Sequence, residues 1–215
     1  MNKNIKKKLL SSVLCLLLLL TMFLGSTIAY FTDTASTSNV MVVGKVDIEQ
    51  SADFGDLVLM PTVTLSTPVT VKNTGSQPSY VRTLIAFEDA PVDGTTNSLV
   101  DYLELNGNIT FPKVNGEKVQ FVKDSVTYTV GCYIYNGPLV AGGDYTCLNS
   151  ITLKETAPSA WEVATVDGKY SVLVLSQAVQ ATGLTLADLD NASVFGQITS
   201  ANTATWFGGT VISGN

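Results

Sequence analysis

The stretch SVTYTVGCYIYNGPLVAGGDYTCLNSITL, Ser125 to Leu153, decides the fold. Both of its ends alternate with a period of two. Val126, Tyr128, Val130, Cys132 and Ile134 share one face of the first segment, and Tyr145, Cys147, Asn149, Ile151 and Leu153 share one face of the second. That is the pattern of strands laid against a core. Joined as a hairpin with Cys132 opposite Cys147, they set Val126 against Leu153, Tyr128 against Ile151 and Ile134 against Tyr145. One register then satisfies both the apolar pattern and the cysteines. These are the only cysteines beyond the N-terminal leader, so the expectation in an oxidising compartment is a Cys132–Cys147 disulfide. The alternative is two buried thiols packed as small hydrophobes.

Upstream, YVRTLIAF alternates as cleanly, with Val81, Thr83, Ile85 and Phe87 on one face and Arg82, Leu84 and Ala86 on the other. Val40 to Gln50 reads as a first strand, with Gly44 at a bulge or close backbone approach, and Asp53 to Asp56 as the turn after it. Leu57 to Asn73 alternates weakly and contains Pro61 and Pro68, which deny ladder donors and point to edge positions or strand starts. Asn73 to Ser79 is a turn cluster, and Glu88 to Asn97 a long acidic loop. Short strands are expected around Leu103, Ile109 and Val119, separated by NGN and NGE turns. Near the C-terminus, Tyr170 to Val179 is a strand, Thr185 with Asp188 marks a short helix start, and Thr205 to Ile212 is a last strand. Trp206 and Phe207 are read as core or rim packing. Rich in Thr, Val, Ser, Gly and Tyr and punctuated by turns, the sequence predicts an all-β antiparallel sandwich.

The N-terminus carries an address. Lys3, Lys6, Lys7 and Lys8 precede an apolar run from Leu9 to Ile28, the layout of a secretory signal. Thr27 and Ala29 supply small residues at minus three and minus one for cleavage after Ala29, with cleavage after Tyr30, before Phe31, as the neighbouring alternative. Left uncut, the same run is long enough to hold the chain in a membrane with residues from Tyr30 onward outside. The division is therefore a signal peptide over 1–29, a separate segment over 30–43, and one sandwich domain over 44–215. Either way the expected location is secreted, extracellular or at the cell surface, with membrane contact only through an uncleaved leader. Four of the 12 basic residues lie in the leader, leaving 8 against 18 acidic ones and a mature charge of −10. Nucleic acid and anionic lipid are poor partners for such a surface.

Histidine is absent from the whole chain. No Ser/His or Cys/His pair can form, nor an HExxH zinc site. An exported hydrolase working with carboxylates alone would have to draw on Glu88, Asp89, Asp93, Asp101 and Glu104. The bland reading of those residues is solvated turns. A sharper one is a calcium ion shared by Glu88, Asp89 and Asp93, without EF-hand spacing. No other cofactor is expected.

The leader, the junction AYFTDTAS, the strand NVMVVGKVDI with Gly44 and Asp47, and PVTVKNTGSQPSYVRTLI together resemble the TasA/camelysin family of exported Gram-positive proteins, which look like substrates of a SipW-type signal peptidase. The resemblance covers roughly the first 90 residues. It implies a jelly-roll-like sandwich and, as in fibre-forming members, subunits joined by donor-strand complementation. The donor candidate is the segment from Phe31 to Val43, with Phe31, Thr32, Asp33, Thr34, Val40 and Val42 as its candidate donor-strand residues. The partners implied are further copies of the chain or related fibre subunits, together with the signal peptidase. On this reading the protein is a subunit or accessory component of an extracellular biofilm-matrix fibre. The alternatives are a cell-surface hydrolase or camelysin-like protease and a monomeric surface adhesin. A camelysin-like peptidase activity finds no support in a chain without histidine.

Overall fold

The computed structural model describes residues 45–52, 54, 57–90, 98–157, 169–189 and 192–212. Among them, strands β1 (Ile48–Ala52), β2 (Thr64–Asn73), β9 (Asp144–Leu153) and β4 (Leu103–Asn106) form one antiparallel sheet in the order β1-β2-β9-β4. A second sheet has the order β10-β3-β8-β7, from Val172–Gln180, Ser79–Glu88, Val126–Ile134 and Gln120–Lys123. The chain changes sheet between β2 and β3, β3 and β4, β4 and β7, β8 and β9, and β9 and β10. The architecture is the expected sandwich. A small ribbon, β5 (Lys113–Val114) with β6 (Glu117–Lys118), turns at Asn115 and Gly116, both at positive φ, as an Asn-Gly turn requires.

Strands β8 and β9 appear where the alternation places them, but they do not form a hairpin. β8 lies beside β3 with Leu84 opposite Cys132, whereas β9 lies between β2 and β4 with Leu65 and Leu105 opposite Ile151. Alternation fixes which residues share a face; it does not name the neighbouring strand. Cys132 belongs to the cluster of Leu84, Val130 and Phe121, and Cys147 to the cluster between the sheets with Val69, Ile85 and Leu153. The two are buried thiols in different layers rather than a disulfide. Asn149, expected on the inner face of β9, is exposed, because register shifts along β2 and β9 bring Leu148 inward in its place.

Buried Asn73 pins the crossing. Its Nδ2 donates to the carbonyls of Gln77 and Leu139, each at 2.9 Å, and its Oδ1 accepts from the Gly75 N–H at 2.9 Å. The backbone of Leu139 pairs with Ser79, and Gly142 and Gly143 pair with Asn73 itself. One side chain thus ties the β2–β3 corner to the β8–β9 corner.

Two further expectations are corrected. β2 is an internal strand, and Pro68 is accommodated by register shifts between Ser66 and Thr70, since a bulge frees the proline from ladder duty. The predicted strand at Thr205 to Ile212 is instead largely helix. α1 (Leu186–Leu189) and α2 (Ala192–Phe195) lead to α3 (Ser200–Phe207), whose N-cap Thr199 accepts from the Asn202 N–H at 3.2 Å and whose C-cap Gly208 has φ +69°. Caps at both ends outweigh the strand preference of Thr, Trp and Phe. At α1 the predicted start holds, with the Thr185 N–H and hydroxyl both donating to Asp188. Among the described residues the first strand begins at Ile48; positions 40–44 of that expectation and the turn at Asp53 to Asp56 apart from Phe54 lie outside the described residues.

Candidate functional site

The signal-cleavage residues Thr27, Ala29, Tyr30 and Phe31, and the donor positions Thr32, Asp33, Thr34, Val40 and Val42, lie outside the described residues. The described body shows where a strand could be received. β1 and β10 are sheet edges, each with a single strand neighbour among the described residues. Gln50 of β1 spans the seam between them: its Nε2 donates to the Val174 carbonyl of β10 at 3.3 Å, and its Oε1 accepts from the Ser176 hydroxyl at 2.8 Å. Ser176 continues inward through Thr83 (3.0 Å) to the Tyr145 hydroxyl (2.8 Å). A hydroxyl chain therefore joins both sheets through the core.

The carboxylates named as catalytic or calcium candidates separate into two kinds. Glu88 and Asp89 are 1 % and 3 % exposed, so they are not the solvated loop residues expected. Glu88 accepts from the Ser171 N–H at 2.7 Å. Asp89 accepts from the Val100 N–H (3.2 Å), Gln120 Nε2 (3.1 Å) and the Thr129 hydroxyl, so it anchors the 3-10 turn Leu99–Tyr102 to the end of β3. Burial pushes the Asp89 carboxyl above its ordinary range, against the pull of those bonds. The Tyr170 hydroxyl is buried without a hydrogen-bond partner among the described residues, and burial together with the charges of Asp89 and Glu88 holds it well above the usual tyrosine range. Asp101 is exposed, pairs with Lys118 and accepts from Ser98. Glu104 is exposed on β4, and Asp93 lies outside the described residues. Among the described residues no three metal-ligating side chains converge. Burial pushes the Cys147 thiol up to about 11, away from the reactive thiolate.

Sequence reading passed over Arg82. It sits on β3 at 4 % exposure, against the rings of Phe195 (4.8 Å) and Trp206 (5.2 Å). Its Nε and Nη2 donate to Gln177 Oε1, Nη2 also to the Phe195 carbonyl (2.8 Å), and Nη1 to the Gly196 carbonyl (3.0 Å). The signal was present: an arginine alternating onto one face with Leu84 and Ala86 announces that something covers that face.

These features define a class: an antiparallel β-sandwich with helices over one sheet, edge strands that have one strand neighbour each among the described residues, and buried carboxylates used as internal anchors. Residues 4–78 match a family model described as camelysin metallo-endopeptidase. No curated protein and no solved structure matches the chain. Among the described residues no helix is long and apolar enough to cross a membrane.

Proposed function

We propose that the protein is a secreted structural protein, a subunit or accessory component of an extracellular fibre that assembles by N-terminal strand exchange. The observation that carries this reading is the pair of sheet edges, β1 and β10, with one strand neighbour each among the described residues. β1 begins five residues beyond the donor candidate, so in a head-to-tail array the segment 31–43 of one copy would add to an edge of the next. Main-chain bonds would supply the affinity and alternate side chains the register. Such a contact does not close on itself and grows a filament. Two features support a structural role: the carboxylates Glu88 and Asp89 are buried as anchors, and the sequence holds no imidazole for a zinc peptidase site.

Electron microscopy of purified chains starting at Tyr30 and at Gly44 tests the reading. Filaments from the longer chain alone are expected. Filaments of equal abundance from both would sink strand exchange, and filaments from neither would leave the protein as a monomeric surface adhesin or an accessory to another subunit's fibre.

A further inference from the structure

We propose that the cavity beside Arg82 is a binding site for a small apolar carboxylate. The cavity has a volume of about 450 Å³ and is lined by Arg82, Ile134, Leu189, Ile198 and Thr199, with exposed Lys113 alongside. Its size and its mixture of apolar wall with a few polar groups are those of small-molecule sites.

The charge argument is the stronger one. Every acceptor that holds the Arg82 guanidinium is neutral: an amide oxygen of Gln177 and the carbonyls of Phe195 and Gly196. The ion pairs among the described residues are Lys45–Asp47 and Lys118–Asp101, neither of which reaches it. A guanidinium has five N–H donors, and those bonds use four, leaving one on Nη1 with no partner among the described residues. Burying a cation against neutral partners is costly, and an anion bound beside it would offset that cost. The rings of Phe195 and Trp206 pack against the guanidinium, and Gly196, at φ +80° and close to Trp206, lets the backbone approach it. One spare donor and one nearby lysine suit a monoanion; a phosphate dianion would call for more donors. The apolar wall of Ile134, Leu189 and Ile198 then takes the body of the ligand.

The test is a titration of the ¹⁵N-labelled mature chain with benzoate and, separately, with neutral benzamide, following the amides of Gly196, Gln197 and Ile198. Saturable shifts with benzoate alone are expected. Lys113→Glu, at an exposed position that leaves the fold untouched, should weaken benzoate roughly threefold to fivefold. Ile198→Trp should fill the cavity and abolish the shifts. A second arm compares acetyl-Ala-Leu with its C-terminal amide: binding of the free acid only would identify a chain terminus as the source of the carboxylate, and binding of benzoate but of neither peptide would identify a free acid. Equal shifts from benzoate and benzamide, or no saturable shift from either, would overturn the proposal and leave Arg82 as a clamp on the α2–α3 loop.

Discussion

Strands β2 and β3 are neighbours in sequence, equal in length, and opposite in their relation to water. From Ser66 onward β2 buries Thr67, Val69, Val71 and Asn73 and leaves the residues between them at least partly open, whereas all ten residues of β3 are buried. The first sheet has a core on one face only. The second is a middle layer: Val81, Ile85 and Phe87 face the other sheet, while Leu84 and Ala86 face Phe121, Ala204 and Phe207. Phe121 stacks on Tyr128 at 5.5 Å and on Phe207 at 5.2 Å. The difference teaches that the C-terminal helices are part of the core and not an appendage to it.

The sharpest way to break that comparison is to cut into both faces of β3 and the outer face of β2. Phe87→Ala should cost about 4 kcal/mol and Leu84→Ala about 3 kcal/mol, the usual range for large-to-small changes in cores. Lys72→Ala, on the open face of β2, should stay within about 0.5 kcal/mol. Urea unfolding measures all three. A Leu84→Ala cost below about 1 kcal/mol would mean that the outer face of β3 is not a second core.

Asn73 tests the join between the sheets. Asn73→Ala removes two donated bonds and one accepted bond at a fully buried position. A loss of about 2–3 kcal/mol is expected from the stranded carbonyls and N–H. An exposed asparagine such as Asn149 supplies the control, since its replacement by alanine should cost little.

The helical cover comes next in size. Thr199→Ala and Gly208→Ala each remove one cap of α3, and each should cost about 1 kcal/mol. Trp206 lies beside Arg82 on this helix, so its fluorescence reports the loss directly. If both variants melt the Trp206 signal together with the sheets, the cover and the sandwich unfold as one unit.

What the sequence made legible follows the same division. The period-two patterns of Tyr80 to Phe87, Ser125 to Tyr135 and Asp144 to Leu153 each mark a real strand, because alternation depends only on a face being buried. The pairing of β8 with β9 failed, because two apolar faces can be matched across a turn or sent to different layers, and Asn73 decides between these from more than 60 residues away along the chain. The C-terminal helix was misread since aromatic and β-branched residues suggested strand, while its signals, Thr199 and Gly208, are single residues at its ends. The carboxylates of the acidic loop were read as solvated for want of knowing that Thr129, Gln120 and Val100 would meet Asp89. The edges that would receive a donor strand were not legible, as strand order is a property of the whole sheet.

The smallest effect contrasts two carboxylates at the 3-10 turn Leu99–Tyr102. Asp89 is buried, and burial raises its pKa despite the bonds from Thr129 and Val100 and the charge of Lys118. A carboxyl whose folded pKa lies above its unfolded value, about 3.9, adds stability below that value and loses it as pH rises through the folded pKa. Asp101 has the opposite sign. Partial burial pushes it up, but the hydrogen bond and charge of Lys118 and the bonds from Ser98 outweigh this and leave it lowered. Its contribution is present above the unfolded pKa and is lost as pH falls through the folded one. Asp89→Asn should therefore make the protein lose more stability, relative to the parent, on acidification from pH 7 to about pH 4. Asp101→Asn should make it lose less. Urea midpoints at the two pH values give both comparisons, and an Asp89→Asn variant with the parent's pH dependence would show that the buried carboxyl does not titrate in that window.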